Sequence, residues 1–143
     1  MKIETTRFGP LDTSEDDLIT FPEGIIGYPD RKRFVLLQNS PEDPFCWLQS
    51  TEDPALAFVV ADPTRFVPDY TVKVPPEEVS PISLAGVGDA RILVFVVIPA
   101  ENPLETHLNL RGPVVINTAN RLARQLVLSE EYPLRHTLVG AGA

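Results

Sequence analysis

The sequence predicts a mostly β fold: a small antiparallel β-barrel-like single domain with at most short helical turns. Three observations carry this. Fifteen prolines punctuate the 143 residues, so few long stretches escape one. Proline inside a helix costs about 3 kcal/mol or more, yet it is tolerated in turns and at strand ends. Between the prolines lie short runs rich in Val, Ile, Phe and Thr, which read as strands. Turn formers separate those runs at close spacing, the pattern of barrels and sandwiches.

In chain order the predicted strands are 3–8, 18–21, 33–38, 45–50, 56–61, 71–74, 91–98, 107–110, 113–116 and 122–128. Their separators include Pro22-Glu23-Gly24, Tyr28-Pro29-Asp30, Asn39-Ser40-Pro41, Glu52-Asp53-Pro54 and Gly86-Val87-Gly88-Asp89. Residues 92–98 are apolar at every position, which predicts a central strand covered on both faces. Leu56, Phe58 and Val60 share one strand face, and Trp47 and Val35 are expected core neighbours. Pro76-Glu77-Glu78-Val79 suits one helical turn, with proline early and acids at the positive end. Residues 120–128 admit a helix through Leu122 and Leu126. A strand fits better, because Leu126-Val127-Leu128 is continuous and Asn117-Thr118-Ala119-Asn120 precedes it as a hairpin turn. One β domain is expected over 1–139, with Gly140-Ala141-Gly142-Ala143 as a flexible tail.

Charge divides the chain. Residues 1–40 have net charge −2, residues 41–90 have −7 and residues 91–143 have +1. The acidic middle third repels phosphate backbones, which argues against direct nucleic-acid binding, and it attracts basic proteins. An oligonucleotide-binding barrel would need basic strands with exposed aromatics, whereas Phe34, Phe45, Trp47, Phe58 and Phe95 sit in apolar runs. The N-terminus lacks the apolar run of a signal peptide, and no run approaches the roughly 20 residues of a membrane span. Cytoplasmic localisation without membrane contact is the expectation. The single cysteine, Cys46, cannot form an internal disulfide and reads as core packing within Phe45-Cys46-Trp47-Leu48.

Catalytic signatures are sparse. Two histidines and one cysteine at no ligand spacing make a dedicated metal site improbable on sequence grounds. Neither a Gly-x-Ser-x-Gly elbow nor a phosphate loop is present. The pairs Glu42-Asp43, Glu52-Asp53, Glu77-Glu78 and Glu130-Glu131 stand in turns or polar segments and read as solvated. No catalytic, cofactor-binding or metal-binding residue is therefore assigned, and no cofactor is expected. The competing reading is a small β-barrel enzyme acting on a sugar or other small molecule, which would require a pocket holding perturbed titratable groups.

Five segments together resemble one family. They are Ile19-Thr20-Phe21-Pro22-Glu23-Gly24-Ile25-Ile26-Gly27-Tyr28, Leu48-Gln49-Ser50-Thr51-Glu52-Asp53-Pro54-Ala55-Leu56-Ala57-Phe58, Asp62-Pro63-Thr64-Arg65-Phe66-Val67-Pro68-Asp69-Tyr70, Asn109-Leu110-Arg111-Gly112-Pro113-Val114-Val115-Ile116-Asn117 and Arg121-Leu122-Ala123-Arg124-Gln125-Leu126-Val127-Leu128. In this order they resemble the bacterial flagellar assembly factor FliW, over nearly the whole chain. Ile26, Tyr28 and Gly112 depart from that pattern, where proline, phenylalanine and alanine are common. The resemblance implies a barrel-like fold without catalysis and two protein partners. One is flagellin, bound before secretion. The other is CsrA, the carbon storage regulator that represses flagellin translation and that competes with flagellin for the factor.

Two surfaces follow as expectations. Glu52, Asp53, Asp69, Glu77 and Glu78 are assigned to an acidic face for CsrA, acting directly on its RNA path or from a neighbouring site. Val115, Asn117 and Leu126 are assigned to an apolar patch for the amphipathic C-terminal region of flagellin, since their segments are apolar and lie outside the acidic third.

Overall fold

The computed structural model describes residues 1–38, 42–73, 75–84 and 90–138. The expected turns at 39–41 and 86–89 and the expected tail at 140–143 lie outside these residues. Among the described residues eleven strands are formed: β1 (Lys2–Ile3), β2 (Leu11–Asp12), β3 (Ile19–Thr20), β4 (Arg33–Leu37), β5 (Phe45–Ser50), β6 (Ala57–Ala61), β7 (Ala90–Val97), β8 (His107–Leu108), β9 (Val114–Asn117), β10 (Leu122–Gln125) and β11 (His136–Thr137). Helical structure among the described residues is confined to single 3-10 turns. One of them is the expected turn at Pro76–Glu78.

Seven strands close into a ring in the order β3, β4, β5, β6, β7, β9, β10. Every ring pairing is antiparallel except the closing one, where Leu122 of β10 meets Thr20 of β3 in parallel. Closure removes the exposed sheet edges that invite aggregation. β7 is the branch point: Ala90 to Leu93 pair with β9, while Val96 and Val97 pair with β8, which carries β11 on its other side.

Side chains alternate between inside and outside, as the two-residue period of a strand demands. Ile19, Phe34, Leu48, Val60, Leu93 and Ile116 fill the interior. Two further apolar layers cover the outer wall. In one, Val72, Val79, Ile82 and Leu84 pack on Val115 and Leu126. In the other, Leu108, Leu110, Phe66 and Val67 pack on Ala61, Val94 and Val96. The unbroken apolar run of β7 follows from this double coverage: Leu93 and Phe95 belong to the interior cluster, Ile92, Val94 and Val96 to the outer layers. Cover ends at Val97 and Ile98, which are about half exposed.

Several expected strands are shorter. Of 3–8 only Ile3 lies in a strand, β1, because Thr5 donates its hydroxyl to the Gly9 carbonyl (2.7 Å) and turns the chain back to pair β1 with β2. Residues 71–73 form no strand; Val72 packs into the outer layer and the Thr71 carbonyl accepts the Tyr132 hydroxyl (2.8 Å). β10 stops at Gln125, although Leu126 and Leu128 still donate to the carbonyls of Pro113 and Arg111. Neither β2 nor β11 was expected, each being two residues long with no apolar run. Trp47 and Val35 lie on the face of the wall opposite the interior cluster, where Val35 is nonetheless buried, as expected of a core residue, and Phe8 meets the half-buried Trp47 edge to face (5.8 Å).

Candidate partner-binding surfaces

The acidic residues expected on one face are divided among three places. Glu52 and Asp53 sit in the β5–β6 turn. The Ser50 hydroxyl caps that turn by accepting both their N–H groups (3.1 and 2.9 Å), and the buried Gln49 amide donates to the Ser50 and Leu56 carbonyls (3.0 and 3.1 Å). One Glu52 carboxylate oxygen accepts the backbone N–H groups of Lys32 and Arg33 (2.8 and 3.0 Å). Those two bonds hold its carboxyl below the usual range. Asp53 accepts from the Ala55 N–H (3.1 Å) and lies 3.7 Å from the Arg31 guanidinium. Both side chains are therefore tied to the turn and to the start of β4.

Asp69 follows the far end of β6 and makes no side-chain hydrogen bond or ion pair with the described residues. Glu77 and Glu78 lie in the 3-10 turn of the layer over β9 and β10. Arg124 of β10 donates to the Glu78 carbonyl (2.6 Å) and pairs with its carboxylate (3.5 Å). The same guanidinium pairs with Glu23 at 3.0 Å. Among the described residues no hydrogen bond or ion pair joins the three sets. Glu78 instead gains a neighbour the sequence reading missed, Glu23, which is 55 positions away in sequence but shares Arg124 with it.

The expected apolar patch is not at the surface. Val115 is 0% exposed and Leu126 2%, both within the outer apolar layer. Asn117 is 7% exposed; its amide donates to the Ile82 carbonyl (2.9 Å) and its carbonyl oxygen accepts the Ala119 N–H (3.0 Å). It fastens the covering layer to β9 and shapes the β9–β10 hairpin. A partner cannot reach these three positions without removing Val79, Ile82 and Leu84. An apolar strand reads alike whether its outer face meets solvent or a distant segment, which is why the sequence misassigned them.

Exposed apolar surface appears instead at the barrel rim. Residues 21–28 form a tight loop: the Gly24 N–H donates to the Phe21 carbonyl (2.8 Å), and Tyr28 and Ile25 exchange backbone bonds (2.7 and 3.3 Å). Gly24 and Gly27 have φ of +72° and +89°, a region that L side chains rarely adopt. The loop tip presents Ile26, 59% exposed, and Tyr28, 43% exposed. Below them runs an aromatic ladder: Tyr28 on Phe58 (5.4 Å between centroids), then Phe58 on Phe95 (5.1 Å). Ile25, Ile26, Phe58, Phe95, Val97 and Gln125 line a cleft of about 230 Å³. Gln125 closes its polar side by accepting the Ile26 N–H (3.1 Å) and donating to the Gly112 carbonyl (3.1 Å). Two adjacent isoleucines between glycines in a turn are the sequence signal for this rim: Ile25 turns into the interior cluster, and its neighbour Ile26 is left outside.

Groups with displaced acidity are scattered. Burial raises the Cys46 thiol inside the barrel, and Glu52 has the cause given above. Burial also raises the Tyr70 phenol, which donates to the Leu110 carbonyl (2.7 Å). Each serves a local structural contact, and no cleft combines them. Among the described residues no group of three or more His, Cys, Asp or Glu is placed to hold a metal ion, and no helix is long and apolar enough to cross a membrane.

A side-chain-filled, seven-stranded closed barrel with an apolar rim cleft and an arginine-bridged acidic cluster is a small β-barrel domain whose prominent features are surfaces. The FliW protein family profile matches residues 2–138. Flagellar assembly factor FliW of Geotalea uraniireducens is 44% identical over 137 residues, covering 95% of this chain and 83% of the relative. That of Natranaerobius thermophilus is 40% identical over 139 residues, covering 96% and 92%. A crystal structure of the flagellar assembly factor FliW superposes with a TM-score of 0.86 at 34% identity, covering 96% of both chains. This chain belongs to the FliW family, whose members named here are flagellar assembly factors.

Proposed function

We propose that this chain is a cytoplasmic, non-catalytic flagellar assembly factor that holds flagellin before export and antagonises the translational repressor CsrA, coupling flagellin synthesis to secretion. The observation that carries the reading is the rim cleft. Ile26, Tyr28, Val97 and Ile98 are all more than 40% exposed, and Ile26 and Val97 line one cleft floored by Phe58 and Phe95, which the other exposed apolar side chains, such as Leu104, Val127 and Leu134, do not line. Apolar patches of this kind mark docking sites, and a groove floored by aromatics accepts the apolar face of an amphipathic helix. The flagellin C-terminal region supplies such a face before assembly. Glu23, Glu77 and Glu78 support the second partner, because Glu23 and Glu78 share the single cation of Arg124 and Glu77 stands beside Glu78, which leaves net negative charge to meet the basic surface of an RNA-binding protein.

The test is a pair of titrations on two variants. Ile26→Asp with Val97→Asp is expected to weaken flagellin binding about tenfold to a hundredfold and to spare CsrA. Glu77→Lys with Glu78→Lys is expected to weaken CsrA binding, more at low salt than at high salt, and to spare direct flagellin contact. Parental flagellin affinity in the rim variant would refute the rim as the dock. Parental, salt-independent CsrA affinity in the charge variant would refute the acidic assignment.

A further inference from the structure

Gln49 stands on β5 opposite Ala57 of β6, on the face of the wall turned away from the interior cluster. It is 0% exposed, which is uncommon for so polar a side chain. Its Nε2 atom is well supplied with acceptors. The carbonyl oxygens of Ser50 and Leu56 lie at 3.0 and 3.1 Å, and those of Pro54 and Asp53 at 3.3 and 3.5 Å. A flipped amide would press Oε1 against those four oxygens, so the orientation is fixed. Oε1 is then left buried with no donor among the described residues. A buried acceptor without a partner is costly, and most such atoms in folded proteins find one. Gln49 borders a cleft of about 370 Å³ whose other walls are Thr6, Arg7, Pro54, Ala55 and Ala57. The cleft lies between the N-terminal segment and the β5–β6 turn, which the Thr6 N–H joins by donating to the Pro54 carbonyl (2.8 Å).

The lip of this cleft has the opposite deficit. Arg7 lays its guanidinium over the Trp47 ring, 4.3 Å from the centroid. Neither its N–H groups nor the Thr6 hydroxyl makes a hydrogen bond with the described residues, and both residues are exposed. We propose that the cleft is a binding site for an amide group of a partner polypeptide: the amide N–H donates to Gln49 Oε1, and the amide oxygen accepts from Arg7 or Thr6. Other polar groups match one side only. A carboxylate would suit Arg7 but set its lone pairs against Oε1. An ammonium would donate to Oε1 but would meet the positive charge of Arg7. A planar amide carries donor and acceptor together, and Pro54, Ala55 and Ala57 give its carbon skeleton an apolar bed. The site shares no residue with the rim cleft or with the set formed by Glu23, Glu78 and Arg124, so it is additional to both surfaces above.

NMR titration of the intact protein tests this with small probes that differ in one group. Propionamide stands for an Asn or Gln side chain and N-methylacetamide for a main-chain peptide link. Butanone keeps the shape and the carbonyl but has no N–H, and propionate has acceptors alone. Saturable shifts of the Gln49 side-chain NH₂ and the Thr6 N–H are expected with the amides, and at least fivefold weaker binding with butanone and propionate. The tighter of the two amides names the source. Ala55→Leu fills the cleft from an exposed turn position and is expected to abolish the saturable shift without lowering the melting temperature. Arg7→Gln is expected to weaken propionamide about fivefold and serves if the first variant does not fold. Amides that give no saturable shift, which would leave Oε1 to water alone, overturn the proposal. So does butanone that binds as well as propionamide, or parental affinity in both variants. None of these results touches the flagellin and CsrA assignments, whose titrations use other residues.

Discussion

Replacing Gly24 with alanine tests the rim loop most directly. At φ +72° an alanine is in the left-handed region, a strain of roughly 1–2 kcal/mol. Its Cβ would also stand 2.6 Å from the Cα and the carbonyl oxygen of Pro29 and 2.7 Å from the carbonyl carbon. Ordinary carbon contacts lie at about 3.5–4.0 Å, so roughly 1 Å of backbone movement is required. The obstacle is main chain, which no rotamer change relieves, and overpacking of this kind adds about 1–3 kcal/mol. The expected loss is about 2–5 kcal/mol, a large share of a typical domain's 5–15 kcal/mol. Gly27→Ala is the matched control. Its φ is +89°, but nothing lies within 4 Å of the added Cβ, so it bears the strain alone. Urea unfolding followed by tryptophan fluorescence, with Trp47 as the reporter, measures both. If Gly24→Ala loses no more stability than Gly27→Ala, the close approach of Gly24 to Pro29 does not constrain the loop and the reasoning is refuted.

Val115→Arg or Leu126→Arg is expected to prevent folding rather than to block a partner selectively. Each would bury an unpaired charge in the outer layer, at about 3–5 kcal/mol or more, and a folded variant by circular dichroism would contradict the placement. Glu52→Gln is expected to lower stability by about 1 kcal/mol at pH 7, a figure already reduced for the exposure of the carboxylate. The folded carboxyl is held below its usual range, so its contribution is complete above the unfolded pKa and is lost as pH falls through the folded one. The parent and the variant should thus converge in acid, and a constant gap from pH 7 to pH 2 would refute the assignment.

Periodicity and punctuation made most of the barrel wall legible in the sequence. Phe45–Ser50 and Ala57–Ala61 are bounded by Pro and Asp signals, and both strands form within a residue of the expected limits. The seven-residue apolar run that β7 carries announced coverage on both faces, and the barrel interior on one side and the outer layers on the other supply it. The turn at Pro76–Glu78 followed from proline and the acids behind it. These features depend on neighbours a few positions apart, which is the range over which sequence patterns act.

Composition by itself determined a β-rich domain with an acidic middle third and no metal-ligand spacing. Only the tertiary structure decided which apolar faces remain open. Val115 and Leu126 look as available in the sequence as Ile26 and Val97 do, but residues 79–84, more than 30 positions earlier, close over the first pair and leave the second bare. The same holds for charge: Glu52 and Asp53 are committed to their own turn, while Glu23, Glu78 and Arg124 meet from three distant segments. Burial and ion pairing are set by what ring closure brings together in space, and a linear pattern carries no record of contacts formed across a hundred residues.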